Sequence, residues 1–156
     1  MRRYKNVKRL ILIGRSEAGK STLIRALCGR KLSYEKTQAV KFDNWVIDTP
    51  GEYAETQRLG GALAVYSCEA DVIGLVCSAV EPYSLFPPNV VGMATRPVIG
   101  IITKCARTDA RQERARLWLE NTGCADIFRT DSLTGFGIDE LRHYLSQNYQ
   151  MQQQTT

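Results

Sequence analysis

Gly14-Arg15-Ser16-Glu17-Ala18-Gly19-Lys20-Ser21-Thr22 sets two glycines around four residues and follows them with a lysine and two hydroxyls. This spacing suits phosphate chemistry. Glycines let the backbone curl until successive N–H groups point at phosphate oxygens. A helix beginning near Lys20 adds the partial positive charge of its N-terminus. Lys20 can then reach the β- and γ-phosphates, and the Ser21 hydroxyl can ligate Mg²⁺. A second candidate, Asp48-Thr49-Pro50-Gly51, closes an apolar run. Its carboxylate can hold Mg²⁺ through water, and the Gly51 N–H can meet a γ-phosphate. Between them, Glu35-Lys36-Thr37-Gln38 lies in a loop long enough to fold over the phosphates. Thr37 there can give its hydroxyl to Mg²⁺ and its N–H to the γ-phosphate. The expected metal ligands are Ser21, Thr37 and Asp48, around Mg²⁺ and GTP or ATP.

These three elements, in this order, resemble the small GTPases of the translation-factor class. The resemblance implies a base reader of the form Asn/Thr-Lys-x-Asp after a later buried strand, its aspartate pairing with guanine. Here that place holds Thr103-Lys104-Cys105-Ala106. Thr103 and the stem of Lys104 remain suited to a base, but the aspartate position is alanine. Asp109, three residues on, reads better as a helix cap than as a displaced substitute. The last element of such proteins, Ser-Ala-x-Thr-Gly, becomes Asp131-Ser132-Leu133-Thr134-Gly135. The turn survives with Ser132 in it, and the serine is now aspartate. A polar site rejects a wrong base by leaving buried groups unpaired, so these two changes leave the base open between guanine and adenine.

Lys20, Thr37 and Glu52 are the candidate catalytic residues. Glu52 follows Gly51, where many GTPases carry a water-orienting glutamine. Arg15 and Arg58 are near enough in sequence to be weighed as charge-stabilising fingers, and neither is placed as one by its spacing. Without such a group, hydrolysis is expected to be slow. Glu17 stands where potassium-activated relatives carry asparagine, so potassium dependence is not expected.

The positioning elements follow from alternating β-type runs and helical segments, the pattern of an open, mostly parallel sheet. The expected fold is α/β: a P-loop, small-GTPase-like sheet of six strands with helices on both faces. Leu10 to Ile13 reads as the first strand and Ser21 to Cys28 as a helix stopped by Gly29. Ala39 to Phe42 and Trp45 to Ile47 flank Asp43-Asn44 as an antiparallel edge pair. A helix over Glu55 to Tyr66, a buried strand over Asp71 to Cys77 and a Pro-rich connector through Phe86-Pro87-Pro88 come next. Helix is then expected over Asn89 to Ala94, and strand over Val98 to Thr103. Asp109 to Thr122 reads as an amphipathic helix capped by Asp109 and stopped by Gly123. A short strand over Asp126 to Arg129 and a helix over Ile138 to Tyr149 complete the domain. Its expected bounds are 8–149, with a basic extension over 1–7 and a disordered polar tail over 150–156.

Composition narrows the class. With 156 residues, 44% of them hydrophobic and 24% charged, the chain suits one soluble domain. No apolar run approaches the roughly 18 residues of a membrane span, and Leu10 to Ile13 is too short for a signal-peptide core. A cytoplasmic protein is expected. Five scattered cysteines without a C-x-x-C pair indicate neither zinc nor disulfides. The net charge of +5 gathers near Arg2, Arg3, Lys5, Lys8 and Arg9 with no aromatic-interleaved basic stripe, so nucleic-acid binding is not specified. The lone His143 reads as a surface or packing residue.

Two longer runs, Tyr34-Glu35-Lys36-Thr37-Gln38-Ala39-Val40-Lys41-Phe42 and Ile47-Asp48-Thr49-Pro50-Gly51-Glu52-Tyr53, are more specific than generic motifs. They resemble the EutP/PduV family of small GTPase-like proteins, encoded with ethanolamine- and propanediol-utilisation bacterial microcompartments. The resemblance spans about Lys8 to Tyr149. It implies a cytoplasmic, microcompartment-associated protein whose partners are a nucleotide and a shell or cytoskeletal protein. Three functions are open: a slowly hydrolysing nucleotide switch, an ATP-dependent acetate or propionate kinase, or a non-catalytic scaffold or targeting protein.

Overall fold

The computed structural model describes residues 8–29, 41–43, 45–49 and 59–153. Along the chain these form β1 (Leu10–Ile13), α1 (Lys20–Cys28), β2 (Lys41–Asp43) and β3 (Val46–Asp48). They continue as α2 (Leu59–Tyr66), β4 (Val72–Ser78), a 3₁₀ turn (Val90–Met93), β5 (Val98–Thr103), α3 (Gln112–Asn121), β6 (Ile127–Arg129) and α4 (Ile138–Gln153). The six strands make one sheet in the order β2-β3-β1-β4-β5-β6. All pairings are parallel except β2 with β3, which run antiparallel at the edge as expected. Asp43, expected in the turn, ends β2 instead, and Ala39, Val40 and Asn44 lie outside the described residues.

The central strand explains its own sequence. Leu10, Ile11, Leu12 and Ile13 have no exposed surface, because a parallel strand covered on both faces must be apolar throughout. Alternation divides them between two cores. Leu10 and Leu12 pack with Leu23 and Leu27 of α1 and with Leu141 and Leu145 of α4. Ile11 and Ile13 pack on the opposite face with Leu63 of α2 and Ala115 and Leu119 of α3. Helices therefore lie on both faces. Arg142 of α4 ties the layer together by donating from Nε to the Leu27 carbonyl at 2.9 Å, at the C-terminal end of α1.

Several local expectations shift. α3 begins at Gln112 after Arg111, with no side-chain cap. Asp109 is not that cap: its carboxylate takes a forked pair of hydrogen bonds from Arg107 at 2.9 and 3.0 Å. A neighbouring guanidinium satisfies a carboxylate more strongly than a neutral backbone amide does. The helix expected over Asn89 to Ala94 is the 3₁₀ turn Val90–Met93. The last helix runs past Tyr149 to Gln153, so Gln150 to Gln153 join the helix rather than the polar tail. Gln and Met are good helix formers, which explains the extension. The calls on residues 1–7, on Glu55 to Arg58 and on 154–156 lie outside the described residues.

The site is set by topology. The connection leaving β1 leads to one side of the sheet, towards β2 and β3, and the one leaving β4 leads to the other. A crevice opens between the C-terminal ends of such strands, where ligands of open α/β sheets bind. Among the described residues, the loops after β1, β5 and β6 and the Asp48 end of β3 lie at this end.

Candidate functional site

The loop after β1 carries the first part. Gly14 sits where the loop leaves the sheet, and a Cβ there would fall 2.5 Å from the Val76 carbonyl oxygen. No other residue fits against β4. Glu17 and Gly19 hold left-handed backbone, with φ of 65° and 91°, which curls the loop and turns its amides inward. Within it Ala18 is fully buried, and the Ala18 N–H closes the turn on the Arg15 carbonyl at 3.2 Å. α1 starts at Lys20, so its N-terminal amides and partial positive charge face the same concavity.

Lys20 is 6% exposed, and its ammonium donates to the carbonyls of Gly14 at 2.8 Å and Arg15 at 2.9 Å. The lysine therefore lies along the loop's rim, its charge held at the concavity. Ser21 follows on the first turn of α1, and its hydroxyl donates to Asp48 Oδ2 at 2.7 Å. Asp48 ends β3 and pairs in register with Leu12 of β1. Buried Thr49 locks this alignment by donating from Oγ1 to the Leu12 carbonyl at 2.7 Å. A hydroxyl and a carboxylate this close, beside an amide-lined loop, are the hard oxygen donors that suit Mg²⁺. The residues present fit the cation. Thr37, Gly51 and Glu52, with Arg58, lie outside the described residues.

A second part adjoins the first. Thr103, at the end of β5, donates to the Ala18 carbonyl at 2.5 Å, and Lys104 donates from Nζ to the Glu17 carbonyl at 2.8 Å. These bonds tie the strand end to the phosphate-type loop. A cavity of about 190 Å³ opens there, lined by Gly19, Thr22, Lys104, Arg107, Asp131 and Leu133 among others. Thr103 and Ser132 complete its wall. The sequence-derived base-reading residues are thus assembled beside the phosphate-type loop.

Asp131 has a fuller role than the loss of a serine suggests. Oδ1 accepts from the Leu133 N–H at 3.1 Å, the Thr134 N–H at 3.0 Å and the Thr134 hydroxyl at 3.2 Å. Oδ2 accepts from the Ala106 N–H at 3.0 Å. Burial pushes this carboxyl's pKa up, but the bonds from Thr134, Ala106 and Leu133 outweigh it and leave it below the usual carboxylate range. Asp131 is therefore a charged group joining the loops after β5 and β6. Asp109, by contrast, stays exposed with Arg107 and does not line the cavity.

Glu81 has no counterpart in the sequence reading. It is 7% exposed, and its Oε1 accepts from the Ser78 N–H at 3.0 Å. Its Oε2 lies 3.9 Å from Arg15 Nε, and the Arg15 guanidinium stacks 4.6 Å from the Tyr83 ring centre. Arg15, weighed as a finger, is engaged with the loop after β4 instead. Burial, opposed by the Ser78 N–H and Arg15, raises the Glu81 pKa above the usual glutamate value. The thiol of neighbouring Cys77 is pushed up by burial and then by Glu81. An isolated glutamate before a proline carries no signal of such burial.

The sheet order and the loop after β1 define a P-loop, GTPase-like α/β protein. The fold matches 94% of this chain, at a TM-score of 0.63 and 19% identity, to a bacterial selenocysteine-specific elongation factor EF-Sec, over 29% of that protein. The chain belongs to the PduV-EutP family, described as ethanolamine utilisation - propanediol utilisation, whose model matches residues 7–147. It is 41% identical over 141 residues to the propanediol utilization protein PduV of Citrobacter freundii, covering 90% of this chain and 94% of that one. It is 35% identical over 144 residues to "Probable acetate kinase EutP" of Escherichia coli strain K12, covering 90% of each.

Proposed function

We propose that this protein binds a nucleoside triphosphate with Mg²⁺ and acts as a slowly hydrolysing switch in ethanolamine or propanediol utilisation. The observation that carries the reading is the meeting of Lys20, Ser21 and Asp48 at one loop. Lys20 and the loop amides would hold the phosphates, Ser21 and Asp48 would hold the cation, and Thr37 would close over both. Bound Mg²⁺ would draw charge from the phosphates and favour attack at the terminal phosphorus. Glu52 is the remaining group proposed to orient the attacking water. With the Arg15 guanidinium held by Glu81 and Tyr83, turnover is expected on the order of 10⁻³ per second or slower. The switch would act in the cytoplasm, on a microcompartment shell or cytoskeletal partner. No helix among the described residues is long and apolar enough to cross a membrane.

Calorimetric titration with GTP, GDP, ATP and ADP, with and without Mg²⁺, tests the reading. Mg²⁺-dependent triphosphate binding supports it, and no binding of any of the four overturns it. Partner affinity that is the same in every nucleotide state would leave binding but remove the switch.

The relative named as an acetate kinase favours a second reading. There an acetate or propionate oxygen takes the terminal phosphoryl group and a nucleoside diphosphate leaves. Acyl phosphate that forms only with both ATP and the carboxylate supports this reading. Its absence with nucleotide bound rejects it. A scaffold whose site is structural would instead show no nucleotide affinity and unchanged partner binding in Lys20→Ala.

A further inference from the structure

The cavity beside the phosphate-type loop contains a carboxylate that the base-reading pattern puts elsewhere. In GTPase-like proteins the guanine-pairing aspartate ends the Thr-Lys-x-Asp element, a position held here by Ala106. The carboxylate of Asp131 reaches that position from the next loop, its Oδ2 lying 3.0 Å from the Ala106 N–H. We infer that Asp131 is the base-selecting residue of this site and makes it prefer guanine nucleotides to adenine nucleotides. The inference rests on the nucleotide-site reading above.

Hydrogen-bond inventory gives the reason. A carboxylate has about four lone-pair positions. Oδ1 already accepts from Leu133 and twice from Thr134, whereas Oδ2 accepts only from Ala106. One acceptor position therefore remains on Oδ2, and Asp131 is among the residues lining the cavity. The next backbone N–H, that of Ser132, has no acceptor among the described residues. The loop after β6 thus carries an acceptor and a donor on adjacent cavity-lining residues. Guanine offers the complement, a carbonyl O6 beside N1–H and the 2-amino group. Adenine offers the reverse: its 6-amino group would meet the Ser132 N–H, and its N1 lone pair would meet the carboxylate. Both contacts would then be mismatched, and a polar site discriminates most strongly when its groups are left unpaired. Asp109 is not a competing reader, because Arg107 occupies its carboxylate at the surface.

The test is direct binding of non-hydrolysable GTP and ATP analogues with Mg²⁺, read by calorimetry on the full chain. The expected wild-type result is a guanine preference of at least about tenfold, the worth of one hydrogen bond to a charged group. Asp131→Ser keeps a turn-forming hydroxyl and should remove most of that preference without weakening the ATP analogue. Asp131→Ser combined with Ala106→Asp returns the carboxylate to the other loop and should restore the preference. This rescue separates base reading from a purely structural role, and thermal melts of both variants establish that they fold. Equal wild-type affinity for the two analogues, an ATP preference, or an unchanged preference in Asp131→Ser overturns the inference while leaving the phosphate site intact. Binding of neither analogue overturns the nucleotide-site reading and this inference together.

Discussion

The Ser21 hydroxyl lies 2.7 Å from the Asp48 carboxylate, although 27 residues separate them in the chain. Two backbone pairings and one side-chain hydrogen bond produce the meeting. β3 pairs in parallel with β1, Asp48 stands opposite Leu12, and Thr49 hydrogen-bonds the Leu12 carbonyl. Ser21 then arrives from the other side on the first turn of α1. The pair is the part of the site that should distinguish a metal-bound triphosphate from a bare anion.

Ser21→Ala and Asp48→Asn should each remove the Mg²⁺-dependent share of triphosphate affinity. Titrations with Mg²⁺ should then give the value that the wild type gives in EDTA. A variant that keeps the wild-type response to Mg²⁺ would place the cation elsewhere.

Lys20→Ala should lower triphosphate affinity roughly 100-fold or more, because hydrogen bonds from a charged donor are among the strongest a site makes. It also leaves the Gly14 and Arg15 carbonyls without their ammonium donor, so a small stability loss should accompany it. Calorimetry and a urea titration on one preparation separate the two effects.

Gly14→Ala tests the close approach of the loop to β4. The added Cβ would lie 2.5 Å from the Val76 carbonyl oxygen, which is backbone and cannot step aside. Overpacking of this kind costs about 1–3 kcal/mol. Urea denaturation should show it, and the displaced loop should also bind triphosphate more weakly. A wild-type urea midpoint would mean the loop accommodates the methyl freely.

Glu81 should make stability fall as pH rises. Its folded-state pKa is raised by burial, so the folded chain binds this proton more tightly than the unfolded chain. The contribution is fully present below the ordinary glutamate value and is lost as pH climbs through the raised one. Glu81→Gln keeps an oxygen for the Ser78 N–H and removes the ionisation. Urea midpoints taken across that window should fall less steeply in the variant than in the wild type. Equal slopes would assign the dependence to another group.

Asp109→Ala and Leu119→Ala form a contrasting pair. Asp109 is exposed and caps no helix, so its loss should leave the urea midpoint unchanged. Leu119 is fully buried between α3 and the sheet, and its truncation should cost roughly 2–5 kcal/mol. A large effect of Asp109→Ala would restore the capping role expected from its sequence position.

Much of this protein is written locally. The all-apolar run Leu10 to Ile13, the glycine spacing through Gly19, and Gly29 as a stop each specify backbone within a few residues. Strand, loop and helix were therefore legible in order, and so was the phosphate-type segment. The Asp48 segment was legible for the same reason, as a short motif at the end of an apolar strand. The misread positions depend on neighbours the chain order does not show. Asp109 has a cap's spacing, yet Arg107 two residues away takes its carboxylate. Glu81 is buried where Ser78, Cys77 and Arg15 meet its carboxylate at the loop after β4. Asp131 read as a lost serine because sequence compares each position with its own pattern. The fold brings Asp131 and Ala106 within hydrogen-bond reach, and there the carboxylate on one loop can supply what the other lacks. Local propensity and motif spacing thus determined the elements and the phosphate-type loop. Only the packing of the loops after β5 and β6 decided which carboxylate lines the adjoining cavity, because electrostatic and hydrogen-bond partners are chosen by distance in space.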